Sequence, residues 1–190
     1  MRSVLGRLGA ALAVALTLAL ATALPAAAQG KPDLENTLYL DTAYGRVVIK
    51  LRPDLAPKHA ARLKELTRAN FYNGVPFHRV IEGFMAQTGD PTGTGTGGSG
   101  VKLPAEFSNV PFKRGVVGMA RATSPDSADS QFFIMFDETP SLNGKYTVVG
   151  EVVSGMEFVD KIKKGTGQGG TVSNPDKVVK MTVAADAKPK

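Results

Sequence analysis

Apolar and polar positions alternate over residues 37–51, TLYLDTAYGRVVIKL, in two β-rich runs that break at 41–45, where Gly45 suits a turn. A β-hairpin is predicted. The period then lengthens: in RPDLAPKHAARLKELTRANFYNG, Ala56, Ala60, Leu63 and Leu66 recur at helical spacing. This predicts one amphipathic helix with Asp54 as its N-cap, Pro57 in its first turn and His59 as a solvated residue beside Lys58. From residue 75 onward the pattern is short strands and turns, with strands predicted at 77–81, 85–88, 116–120, 131–135 and 147–153. A second helix over 156–163, a last strand over 177–183 and a frayed tail AADAKPK complete the reading. Many short strands with only two helices favour a mainly β fold in a closed antiparallel sheet, because closure removes exposed edges.

The first 28 residues differ in composition from the rest. Arg2 and Arg7 form a basic start, residues 8–24 are an Ala/Leu-rich apolar run, and Ala26, Ala27 and Ala28 supply small residues for cleavage. This is the pattern of a secretory signal peptide over 1–28, removed after Ala28; a retained membrane anchor is the alternative. A lipoprotein is excluded, since the chain has no cysteine. The remaining 162 of 190 residues, 29–190, suit one domain with a core over about 38–183. Losing Arg2 and Arg7 lowers the formal charge from +6 to +4, and the other cations are dispersed among acids. Nucleic acid is therefore not an expected partner.

The chemistry centres on FHRVIEGFMAQTGD, residues 77–90. Strand alternation puts Phe77, Arg79 and Ile81 on one face and His78 and Val80 on the other. Arg79 thus sits among apolar neighbours. Two structural roles compete with a functional one: snorkelling from the sheet rim, or pairing with a carboxylate such as Asp90 or Glu106. His78 lacks a second histidine or a carboxylate placed to make it a general base. The run GDPTGTGTGGSG, residues 89–100, lacks the G-K-[ST] ending and the following helix of a phosphate-binding loop; it reads as a glycine-permitted surface loop. No metal site or cofactor is indicated.

A second segment, GMARATSPDSADSQFFIMFDETPSLNGKYTVVGEV, residues 118–152, has the same character as the first. FHRVIEGFMAQTGD together with GMARA, SADSQFFI and LNGKYTVVGEV resembles the cyclophilin family of peptidyl-prolyl cis/trans isomerases, in the family's order and near its spacing. The resemblance implies a closed eight-stranded antiparallel β-barrel capped by two α-helices, with an external groove for proline-containing segments of unfolded or partly folded polypeptides. It makes Arg79 the catalytic arginine and Phe84, Met85 and Phe133 the apolar wall of the proline pocket. Gln87 and Gln131 would orient substrate and arginine, Ala120 and Arg121 would pair with the peptide backbone, and Leu142 would form the rim.

Departures from the family pattern bear on ligands. Ser141 stands where many cyclophilins carry tryptophan, Tyr146 replaces the usual histidine, and Arg121 replaces a common asparagine. Weak cyclosporin binding is expected, with His78, Ser141 and Tyr146 bordering the substrate. The implied protein is a monomeric isomerase in the periplasm, or alternatively secreted, without stable membrane association after cleavage. A proline-binding module without turnover and a holding chaperone are the other function classes compatible with these residues.

Overall fold

A computed structural model describes residues 33–188. The predicted hairpin is formed by β1 (Thr37–Thr42) and β2 (Gly45–Leu51), paired antiparallel with Thr42 opposite Gly45. Leu38 and Leu40 of β1 and Val47, Ile49 and Leu51 of β2 face one core, which is why alternation was readable there. Glycine is needed at position 45 because a Cβ would lie 2.7 Å from the Phe158 ring.

Helix α1 (Pro57–Arg68) buries Ala60, Leu63 and Leu66 in the same core. Its capping differs from expectation. Asp54 pairs instead with Arg52 at 2.7 Å, and the residue at the N-cap is Ala56, with no side-chain bond. The orphan N–H groups of Lys58 and His59 donate to the Glu106 carboxylate, each at 3.1 Å. His59 is fully buried rather than solvated, with Nδ1 2.7 Å from Glu106 Oε2.

The remaining strands are β3 (Arg79–Ile81), β4 (Met85–Thr88), β5 (Val116–Met119), β6 (Phe132–Met135), β7 (Val148–Ser154) and β8 (Lys180–Val183). All eight form one antiparallel sheet in the order β3-β4-β6-β5-β7-β2-β1-β8. The expected closed barrel is corrected to an open half-barrel, because its two end strands, β3 and β8, do not pair. The outer edge of β3 is occupied by the loop before β8: Val80 N–H donates to Gly170, Gly165 N–H to Val80, and Val172 N–H to His78. An isolated bridge, Pro76 with Lys177, links the irregular segments preceding β3 and β8. Proline there offers no N–H to extend a ladder.

The second helix, α2 (Met156–Val159), is one turn, shorter than the predicted 156–163. The tail is ordered further than expected: Ala184–Asp186 form a 3₁₀ turn, and Asp186 accepts from Arg68 Nε at 2.8 Å.

The strands that build the site are β3, β4, β5 and β6. Every residue of β5 and β6 is buried, so the apolar run FFIM belongs to two cores at once. Phe132, Ile134, Val117 and Met119 enter the main core. Phe133, Met135, Val116 and Met85 enter a second cluster with Phe112 and Val148 on the other side of the sheet.

Candidate active site

The partly buried rim of the second cluster, including Phe84, Ala120, Leu142 and Tyr146, surrounds a cavity of about 270 Å³. Strand register supplies one row of its wall. Arg79 lies opposite Gln87, Gln87 opposite Phe133, and Phe133 opposite Gly118. Opposed residues in adjacent strands share a face, so one cation, one amide and one aromatic ring meet on the outside of the sheet. Glycine at the fourth place leaves room for the rings; a Cβ on Gly118 would come within 2.6 Å of Phe112.

Arg79 is half-buried and has no carboxylate within salt-bridge distance among the described residues. Both structural partners considered for it are otherwise engaged: Glu106 caps α1, and Asp90 gathers the glycine-rich loop. Arg79 Nε donates to the Gly169 carbonyl at 3.0 Å and Nη1 to Gln87 Oε1 at 3.1 Å. Its second Nη1 hydrogen and both on Nη2 have no acceptor among the described residues and can serve a ligand. Gln87 Nε2 donates to Gln131 Oε1 at 2.9 Å, and Gln131 Nε2 donates to the carbonyls of Gly95 at 3.0 Å and Gly97 at 2.8 Å. This chain of amides fixes the guanidinium against the loop.

The apolar wall is formed by Phe84, Met85, Phe133, Leu142 and Tyr146. Phe112 and Phe133 stack at 5.8 Å, and Tyr146 meets Phe133 edge-on at 5.9 Å. Arg121 covers Tyr146 from outside, with its guanidinium carbon 4.5 Å from the ring centroid.

Of the residues singled out from the sequence, His78, Arg79, Phe84, Met85, Gln87, Ala120, Arg121, Phe133, Leu142 and Tyr146 line this cavity. Gln131 instead lines an adjoining one, and Ser141 lies exposed on the 3₁₀ turn Pro140–Leu142, lining neither. The predicted facing of β3 needs correction. Phe77 is buried in the main core with Val80, while His78 joins Arg79 at the cavity. Strict alternation fails because the ladder starts only at Arg79, after the irregular bridge at Pro76. Burial pushes the His78 imidazole below its ordinary pKa, and neither buried ring nitrogen makes a hydrogen bond among the described residues. Neutral at pH 7, it serves as wall.

Gly93, Thr94, Gly95 and Thr171 also line the cavity. The 89–100 loop borders the groove, as the similar loop does in the family this chain resembles; Thr171 carried no signal. Asp90 holds this loop. Burial opposes its charge, but the Thr92 hydroxyl and the N–H groups of Thr92, Gly97 and Gly95 prevail and hold the carboxyl down to about 2. A carboxyl lowered from its unfolded value of about 3.9 contributes stability that is complete above that value and is lost as pH falls toward 2. Thermal denaturation should therefore show a midpoint that drops below about pH 4, with a shallower drop in Asp90→Asn. An equal pH dependence in the two proteins would contradict this role for Asp90.

Comparison with known proteins bears on what this cavity is. Residues 37–183 match the family model described as cyclophilin type peptidyl-prolyl cis-trans isomerase/CLD. A Brucella suis protein described as "Probable peptidyl-prolyl cis-trans isomerase" is 59% identical over 169 residues, covering 82% of this chain and 86% of that one. A Helicobacter pylori peptidyl-prolyl cis-trans isomerase is 42% identical over 139 residues, 70% of this chain and 85% of its own. Among solved structures, a Cryptosporidium parvum cyclophilin type isomerase crystallised in the presence of the dipeptide Ala-Pro matches with a TM-score of 0.72 at 28% identity. That match covers 77% of this chain and 98% of the other. A cyclophilin from Hirschia baltica matches with a TM-score of 0.73 at 28% identity, over 83% of this chain and 77% of the other.

Proposed function

Because the chain belongs to the cyclophilin-type peptidyl-prolyl cis-trans isomerases, we propose that Arg79 lowers the barrier by hydrogen bonding to the nitrogen of a proline seated in the cavity. Rotation about a peptide bond faces about 18–20 kcal/mol because the nitrogen lone pair is delocalised into the carbonyl. For Xaa-Pro the two isomers lie close in energy, yet exchange takes roughly tens to hundreds of seconds. In the twisted transition state the proline nitrogen turns pyramidal and regains its lone pair. An N–H aimed at that nitrogen therefore binds the transition state better than either planar isomer.

The observation that carries this reading is the guanidinium itself: held by Gln87 and Gly169, free of any carboxylate among the described residues, with N–H groups to spare at the edge of an apolar cavity. Phe84, Met85, Phe133 and Leu142 would receive the pyrrolidine ring and exclude water, which strengthens the bond. The mechanism needs no proton transfer, nucleophile or cofactor. Catalysed exchange of a short Xaa-Pro peptide, followed by NMR, tests it. Binding without acceleration would leave a proline-binding module instead.

The proposed setting is the folding of exported proteins, with proline-containing, partly folded chains as substrates and the protein acting as a monomer in the periplasm. It rests on the signal-peptide pattern of residues 1–28, which lies outside the described residues. Mass spectrometry of the protein recovered from its host should find Gln29 at the N-terminus; an intact leader would contradict export with cleavage. Weak cyclosporin binding follows from Ser141 at the position where many cyclophilins carry tryptophan, in a chain that has none. Inhibition at submicromolar cyclosporin would overturn it.

A further inference from the structure

We propose that Arg121 makes this isomerase prefer substrates carrying a carboxylate side chain within two residues of the proline, an inference that rests on the isomerase reading above. The proline cavity is joined by a second of about 270 Å³, and the two share Gln87, Gly95, Ala120 and Arg121. In an extended peptide successive residues advance about 3.3 Å, so residues one or two from the proline reach the neighbouring cavity.

Arg121 has an unusual set of partners. Nε and Nη2 donate to the Lys145 carbonyl at 3.2 and 3.1 Å, and Nη1 donates to the carbonyls of Ala122 and Thr123, both at 3.0 Å. Every partner is neutral, and the plane is braced on the Tyr146 ring. The guanidinium is thus held in place with its charge uncompensated by a carboxylate among the described residues, and one Nη2 hydrogen is unused. Holding it costs a substrate little entropy, since the fork is already ordered.

The rest of the second cavity adds charge of the same sign. Lys102 lines it, with a side chain 62% exposed and only a 3.5 Å contact to Asp129 Oδ2. Asp129 is the one acid in the lining, and its carboxylate is occupied by Ser99 N–H at 2.9 Å, the Ser99 hydroxyl and Gly100 N–H at 3.0 Å. Asp126, on the 3₁₀ turn Pro125–Ser127 that brings Ser127 to the cavity, accepts the Ala105 N–H at 2.8 Å. With Arg79 on the far side, a peptide meets three cations and one engaged carboxylate. Such a cleft attracts acidic side chains and repels basic ones.

The test is kcat/KM for matched Xaa-Pro peptides with Glu, Gln or Lys at each of the two positions on either side of the proline. The full-length protein is compared with Arg121→Gln, Arg121→Lys and Lys102→Gln at about 10 mM ionic strength, where the Debye length is about 30 Å. The parent should favour Glu over Gln by about three- to tenfold at one position at least, and place Lys below Gln. Arg121→Gln should bring the Glu:Gln ratio close to one, Arg121→Lys should retain part of it, and added salt should erase it. Lys102→Gln, altering a largely exposed side chain, should lower the ratio partway and serves if Arg121→Gln does not fold. A Glu:Gln ratio of one in the parent, or a ratio unmoved by these variants, overturns the proposal; an Arg121 that only clamps its loop would lower all peptides alike. Failure to accelerate even the Gln peptides would instead overturn the isomerase mechanism, so the two failures are told apart.

Discussion

Replacing Arg79 with alanine is expected to lower kcat/KM for Xaa-Pro isomerisation by about a hundred- to a thousandfold, the share of one preorganised donor in a water-poor site. Neither polar neighbour at β3 can take its place: Gln87 is turned between Arg79 and Gln131, and burial disfavours the charged form of His78. Stability should change by less than about 1 kcal/mol, since the side chain is half-buried and has no ion-pair partner to strand among the described residues. Arg79→Lys keeps the charge but cannot reach both Gln87 and Gly169 as a planar fork does, so it should recover only part of the rate. A loss of activity accompanied by an equal loss of folded protein would point to a structural arginine.

The second large effect separates two neighbours in FFIM. Phe132 is buried in the main core and meets Tyr72 edge-on at 5.6 Å, while Tyr72 donates its hydroxyl to the Ser130 carbonyl. Phe132→Ala should cost about 3–5 kcal/mol. That is a large part of a domain's usual stability of about 5–15 kcal/mol, and the folded fraction should keep most of its activity. Phe133 points to the opposite face and lines the cavity, so truncating it enlarges an existing cavity rather than opening a new void in the main core. Phe133→Ala should destabilise less than Phe132→Ala and lower kcat/KM by about ten- to a hundredfold, the worth of one apolar ring against the substrate. Urea denaturation alongside exchange kinetics would check both; a matching pair of phenotypes would contradict the two-faced reading of β6.

The contrast shows what the chain discloses on its own. Where one face is buried, as at Leu38, Leu40, Val47 and Ile49, alternation marks both strand and core. In β5 and β6 both faces are buried, so the pattern becomes a plain apolar run, and only the family motif directs Phe133 toward a pocket. The site row of Arg79, Gln87 and Phe133 is a product of register, which local sequence does not encode until the strands are paired. What was misread depended on distant partners. Asp54 has the chemistry of a cap, but Glu106, far along the chain, performs that task and buries His59 with it. Likewise, closure of the sheet was inferred from the cost of bare edges, whereas the 165–172 segment covers the edge of β3 with irregular backbone.

The mechanism turns on whether Arg79 acts on the twisted state or merely holds the peptide. NMR exchange spectroscopy on an Xaa-Pro peptide, with the exchange rate at saturation and the peptide's Kd measured for the protein and for Arg79→Ala, separates the two. Stabilisation of the transition state requires the rate at saturation to fall by about a hundredfold or more while Kd moves little. A weakened Kd with the saturated rate intact would make Arg79 a binding residue, and the barrier would have to be lowered by the cavity walls alone.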